Sequence, residues 1–271
     1  MAGVISGSAQ YYTKFAEQTI LGNYYAISKL GIDRAQCFLK IGGYLILCTP
    51  FQLGFKRSIF MASISKKEMV FFQRYINTIV GLSISLNPDK RPEPVKFFLR
   101  CTLNTIGQMK GRENVGLFVV NYKSSPDEMV TMMGSFMETL ERLKTLYDED
   151  ASSPIRMTPA ISKAMGYNVF ATVTGGAAPP KRMQVLGLAP KQIEYVEAAP
   201  PPSTPVLKNG AQVAYQLFFR QYRVSVNGTI SASEPLRPGI VKNTAALEFS
   251  PELVEIIEDF RYNSQMNLPP E

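Results

Sequence analysis

The chain has 271 residues, 45% hydrophobic and 19% charged, with a net charge of +7 and no histidine. That length and composition describe an ordinary globular protein with enough apolar residues for one large core or two of average size. Without imidazole there is no usual general base near neutral pH, no Ser-His or Cys-His pair and no histidine-based metal site. The lysines and arginines stand singly or in pairs and do not form the basic stripe of a nucleic-acid or membrane-surface protein.

In chain order, the start MAGVISGSAQ lacks the basic and apolar regions of a signal peptide. No run approaches the roughly 18 apolar residues of a spanning helix; the longest, YLILC at 44–48, is strand-sized. A cytoplasmic protein without a membrane span is expected. Cys37, Cys48 and Cys101 have no metal-ligand spacing and do not pair evenly, which fits buried thiols in a reducing compartment. Tyr11–Tyr25 reads as helical. Ala26-Ile-Ser-Lys-Leu-Gly31 leads into a strand over CFLKIGG (37–43), and FMASISKKEMVF (60–71) reads as strand, tight turn, strand. VKFFLRCTL (95–103) is a long extended segment. Ser125-Pro126-Asp127-Glu128 then supplies a serine N-cap, a proline in the first turn and carboxylates at the positive end of a helix dipole. Met129, Met132, Met133, Phe136 and Leu140 form the apolar face of that helix.

An acidic run followed by Ala-Ser-Ser-Pro at 148–154 marks a chain break. Beyond it the same features recur in the same order, which is the signature of a duplication. Ala160-Ile-Ser-Lys-Ala-Met-Gly166 leads into VFATVTGG (169–176); VLGLAPKQIEYV (185–196) is a hairpin preceded by Lys181-Arg182. AYQLFFRQYRVSV (214–226) matches the long extended segment. Ser250-Pro251-Glu252 opens a helix with Leu253, Ile256, Ile257 and Phe260 on one face. Asn227-Gly228 between Arg223–Val226 and Thr229–Ala232 reads as a type I′ hairpin turn. AAPPPSTPV (198–206) is a stiff loop. Gly175-Gly176-Ala-Ala-Pro-Pro-Lys181-Arg182 looks like a phosphate loop but lacks its second glycine and its Lys-Ser/Thr ending.

Each unit therefore reads as short antiparallel strands closed by one amphipathic helix. The expected fold is mainly β with helices: two tandem six-stranded antiparallel barrels, residues 1–150 and 151–271. On Ser153-Pro-Ile-Arg156, the basic-led hairpin at 181–196 and Phe249-Ser250-Pro251-Glu252, both units resemble PilZ domains. The whole chain is similar to bacterial proteins in which a PilZ-like domain precedes a PilZ domain.

That resemblance implies a site for cyclic di-GMP: Asp/Asn-x-Ser-x-x-Gly in the hairpin, with Arg-x-x-x-Arg before the first strand. The chemistry is intelligible, since arginines stack on guanine and fork onto phosphate, an acid or amide reads a base edge, and glycine admits the backbone. Here the three hairpin positions hold Gly187, Ala189 and Gln192. The equivalent positions in the first unit hold Ser63, Ser65 and Glu68. Arg156 has Ala160 four residues later, and no Arg-x-x-x-Arg occurs anywhere.

The reading that follows is a non-enzymatic PilZ-like adaptor in motility or envelope signalling, with no cofactor, no metal and a protein partner. An alternative keeps it as a cyclic di-GMP receptor using Arg156, Lys181, Arg182, Arg220 and Arg223. A nucleic-acid-binding barrel is a further alternative, suggested by an isoelectric point near 9.2 and disfavoured because alternating aromatics serve a core more often than a stacking platform. An enzyme is the weakest reading, for want of a paired acid; Asp148-Glu149-Asp150 reads as solvated charge.

Overall fold

The computed structural model describes residues 7–175, 179–198, 208–220 and 223–266. The chain divides into two compact units, Met1–Thr139 and Leu140–Glu271.

The first unit opens with α1 (Gly7–Phe15), the two-residue strand β1 (Ile20–Leu21) and α2 (Tyr24–Lys29). The stretch expected to be one helix is thus two helices and a strand. It breaks where Gly22 meets the β4 backbone: a Cβ there would stand 2.0 Å from Pro50 O. Asn23 caps α2 by accepting from Ala26 N–H, and Gly31 behind it takes a left-handed φ of 59°, as a helix end requires. The strands are β2 (Phe38–Ile41), β3 (Tyr44–Leu47), β4 (Thr49–Leu53), β5 (Arg57–Ser63), β6 (Ile79–Leu86), β7 (Val95–Gln108) and β8 (Val115–Tyr122). Between β5 and β6 lies α3 (Lys66–Gln73), and α4 (Asp127–Glu149) follows β8.

These eight strands form an antiparallel half-barrel sheet in the order β1-β4-β5-β8-β7-β6-β2-β3. Gly42 and Gly43, both at positive φ, make the tight turn between β2 and β3, as a two-residue hairpin demands. Only Cys48 separates β3 from β4. The strand 44–53 therefore bends at Cys48, pairing first with β2 and then with β5, and the ring of hydrogen bonds is interrupted between β3 and β5. Inward residues such as Leu39, Phe60, Ile84, Leu103 and Phe118 are fully buried.

The second unit comprises β9 (Ile155–Arg156), α5 (Pro159–Met165), β10 (Tyr167–Gly175), β11 (Lys181–Ala189), β12 (Gln192–Ala198), β13 (Gln212–Phe219), β14 (Arg223–Arg237), β15 (Ile240–Leu247) and α6 (Pro251–Met266). Its strands run β10-β13-β14-β15-β12-β11, and a β10–β11 pairing closes them into a six-stranded barrel with β9 appended to β11. Tyr195, Tyr215, Leu217, Val224 and Ile257 fill the interior. Tracing both rings strand by strand gives one topology, with β2, β3/β4, β5, β6, β7 and β8 standing for β10 to β15.

The duplicated, mainly-β architecture with a closing helix in each unit thus holds, and four local readings are corrected. FMASISKKEMVF is not a hairpin: β5 ends at Ser63 and α3 begins, because Ser65 and Glu68 form a capping box. The counterpart of the 185–196 hairpin is β4–β5, one strand earlier than its sequence match. Likewise 95–103 lies in β7, which corresponds to β14, whereas 214–226 spans the end of β13 and the start of β14. Asn227-Gly228 is no turn: both sit in the middle of β14, paired with Ala214 and Val213. There Gly228 is needed because a Cβ would lie 2.6 Å from Ala246 O. The Pro-rich stretch 199–206 and Gly176–Ala178 of the phosphate-loop look-alike lie outside the described residues.

Candidate functional site

One rim of the second barrel is formed where β10, β12 and β14 begin and β11, β13 and β15 end. Six of the sequence-predicted positions meet there. Arg156 on β9 pairs directly with Gly187 on β11, and Met157 N–H donates to Leu186 O at 2.8 Å to hold the two strands together. Ala189 and Gln192 face each other across the hairpin turn. Arg220 N–H donates to Gly166 O at 2.9 Å, and the Arg220 side chain lies along that glycine. Arg223 pairs with Phe218.

Gly187, where the resemblance expects an acid or amide, is covered by the chain itself. Gly187 is buried; a Cβ on it would lie 3.0 Å from Pro154 Cβ and 3.1 Å from Glu194 Oε2. Ala189 is 1% exposed, so no side chain there reaches solvent. The turn beside it is tied down as well. Lys191 Nζ donates to Asp148 O at 2.7 Å, Leu247 N–H donates to Lys191 O at 2.8 Å, and Tyr147 OH donates to Leu247 O at 2.6 Å. Arg156 is exposed.

Arg220 borders a cavity. A hollow of about 670 Å³ lies between α5, the end of β13 and α6, with Met165, Phe219, Ile256 and Phe260 as its apolar lining and Arg220 and Asp259 among its polar groups. An adjoining hollow of about 400 Å³ shares Gly166, Phe219 and Arg220 and is lined also by Ser162 and Tyr167. The Ser162 and Tyr167 hydroxyls are buried without a hydrogen-bond partner, and burial pushes the Tyr167 phenol above its ordinary pKa.

Lys181 and Arg182 are not part of this rim. They begin β11, five or six residues from Gly187, which at about 3.3 Å per residue places them roughly 16–20 Å away. Arg182 stacks its guanidinium 4.1 Å from the Phe170 ring. Lys181 instead serves a buried polar chain that the sequence reading missed: Ser233 Oγ donates to Asn243 Oδ1 at 2.6 Å, and Asn243 Nδ2 donates to Glu197 Oε2 at 3.2 Å. Lys181 Nζ stands 3.6 Å from Glu197 Oε1. The signal was available, since Glu197 continues the inward series Ile193, Tyr195 and is 1% exposed.

The first-unit positions serve the local fold. Ser65 Oγ accepts from Glu68 N–H at 3.3 Å; the Ser65 hydroxyl and Ser65 N–H each donate to Glu68 Oε2 at 2.7 Å, and these two donors hold the Glu68 carboxyl below its ordinary pKa. Both groups are spent on starting α3, and Ser63 is the last residue of β5.

Among the described residues no cluster of three or more cysteines and carboxylates could hold a metal, and no helix is long and apolar enough to cross a membrane. A closed barrel with a terminal helix, preceded by a unit of the same strand order, is the build of a tandem small-barrel protein. Residues 8–140 match the model of the PilZN3 domain, so the first unit carries that family's domain, and the chain has the build of a tandem PilZ-like protein. Among solved structures it is similar to the PlzA protein of Borreliella burgdorferi in complex with c-di-GMP, at 12% identity over 93% of this chain and 97% of that one, TM-score 0.45. It is also similar to YcgR from Escherichia coli in complex with c-di-GMP, at 8% identity, 85% and 84% coverage and a TM-score of 0.32. A third is the Bacillus subtilis inhibitor of motility MotI, at 10% identity, 86% and 97% coverage and a TM-score of 0.32. No curated protein matches the chain.

Proposed function

We propose that this is a PilZ-type signalling protein that does not take c-di-GMP at the hairpin of its second barrel and acts by holding a protein partner. The observation that carries the reading is the burial of Gly187 beneath Pro154: the chain's own β9 segment stands where a base-reading side chain would be. Each missing bidentate contact forgoes about 1–3 kcal/mol. A micromolar complex has only about 8 kcal/mol in all, so losing the acid, the hydroxyl and the arginine pair removes useful affinity. A cytoplasmic location fits three free, buried cysteines. A role in bacterial motility or envelope signalling is the part of this reading that rests on family resemblance alone. Calorimetric titration of c-di-GMP into the protein tests it: no saturable heat is expected, and a dissociation constant in the micromolar range or below refutes it.

The Arg220 hollow favours a second reading, in which a cyclic dinucleotide binds at the same rim through Arg220, Arg223 and Arg156. Under that reading titration gives a saturable signal that Arg220→Ala abolishes. A signal that survives Arg220→Ala excludes that hollow.

A further inference from the structure

Strand β3 of the first unit is an exposed apolar edge. Cys48 N–H donates to Cys37 O at 3.0 Å across the β2–β3 ladder. Antiparallel pairs alternate between bonded and non-bonded, so the backbone N–H and C=O groups of Leu45 and Leu47 turn away from β2 toward the open side. Among the described residues β3 pairs with no other strand. The side chains of Leu45 and Leu47 are 67% and 64% exposed. Natural sheets blunt such edges with lysine, proline, a bulge or a covering element; Tyr44-Leu-Ile-Leu47 carries none of those residue types, and α3 meets it at the Tyr44 end, where Phe71 and Phe72 pack on the Tyr44 ring, leaving Leu45 and Leu47 exposed.

The strands on the β2 side of this edge carry one sign of charge. The register places Leu47 next to Phe38, and Leu45 next to Lys40, with Arg100 two strands beyond. Strands β2, β3, β6 and β7 contain no aspartate or glutamate at all, and Lys40, Lys96 and Arg100 are exposed. Such a field repels a second copy of the same edge and attracts an acidic chain.

We propose that β3 is a docking edge for an extended, acidic segment of a partner protein, which adds as a further strand along Leu45 and Leu47. Main-chain hydrogen bonds to those two residues would supply affinity, and alternate apolar side chains laid on Leu45, Leu47 and Phe38 would supply register. With strands about 4.8 Å apart, Lys40 lies roughly 10 Å from the added backbone, within the combined reach of a lysine and a glutamate side chain. This inference deepens the adaptor reading by naming the partner's chemistry. It concerns the other unit, so its failure leaves the c-di-GMP titration untouched.

The test is NMR titration of the full chain with a synthetic peptide alternating glutamate and valine, and with its lysine–valine counterpart. The acidic peptide should shift and protect the Leu45 and Leu47 amides; Lys40→Glu should weaken it at least about threefold, and Leu47→Lys should do the same without changing the melting temperature. The proposal is overturned if neither peptide binds or both bind equally. It is likewise overturned if the same amides respond to vesicles of anionic lipid but not to the peptide, or to self-association as protein concentration rises.

Discussion

Replacing Gly187 by alanine isolates the contact on which the closed rim rests. The φ of Gly187 lies outside the left-handed region, so alanine costs no backbone strain there, and the added methyl is the whole perturbation. It would sit 3.0 Å from Pro154 Cβ and 3.1 Å from Glu194 Oε2, about 0.5 Å inside comfortable van der Waals contact. Neither neighbour is loose. Pro154 precedes β9, which is paired to β11 at Ile155 and Arg156, and the other Glu194 oxygen lies 3.0 Å from Lys242 Nζ. Overpacking of this kind costs about 1–3 kcal/mol, which for a unit of this size lowers the melting temperature by about 4 °C per kcal/mol. Pro154→Gly removes the opposing carbon, so the double variant should recover at least about 1 kcal/mol relative to the sum of the single losses. Urea denaturation of the four proteins, followed by exchange protection of the Met157 amide, reads both the cost and the coupling. A Gly187→Ala protein as stable as its parent, or single losses that simply add, would refute the claim that β9 fills this position.

Asn243→Ala leaves the buried Glu197 carboxylate without its amide donor and should lower stability by about 1–3 kcal/mol, the cost of an unsatisfied buried group, as measured by thermal denaturation. Burial raises the Tyr195 phenol to about 12 from an ordinary 10.0 and raises Tyr215 further. Because these folded-state values lie above the unfolded ones, the second unit should hold its stability below pH 10 and lose it as pH rises toward 12; a spectrophotometric tyrosine titration showing all phenols ionising together near 10 would contradict this. Ser65→Ala should cost about 1 kcal/mol by uncapping α3, visible as faster amide exchange at Met69. Cys37, Cys48 and Cys101 are buried, and burial pushes the Cys101 thiol to about 12. A thiol reagent at neutral pH should therefore label none of them in the folded protein and all three in denaturant.

The repeat and the two closing helices were legible because each rests on local chemistry: an N-cap and a face of period 3.6. Strand correspondence was not. β4–β5 and β11–β12 share topology without shared residues, while FMASISKKEMVF imitates a hairpin by alternating apolar residues until its Ser-x-x-Glu box turns it into a helix. Asn227-Gly228 has the composition of a turn, yet it sits mid-strand because Gly228 faces the Ala246 carbonyl, a contact set by a strand that arrives later in the chain. The candidate rim was half legible. Arg156 and Gly187 were identified as positions, but that Pro154 lies on Gly187 depends on β9 joining β11 over a long stretch of sequence. Lys181 and Arg182, adjacent in sequence to the hairpin, lie at the opposite end of the barrel because β11 is long.

The amide NMR spectrum of the protein with excess c-di-GMP tests the central claim most directly. The account predicts that Arg156, Gly187 and Gln192 keep their resonance positions at every ligand concentration up to millimolar. Saturable shifts at those three amides would show that the rim opens to the messenger, and would contradict it.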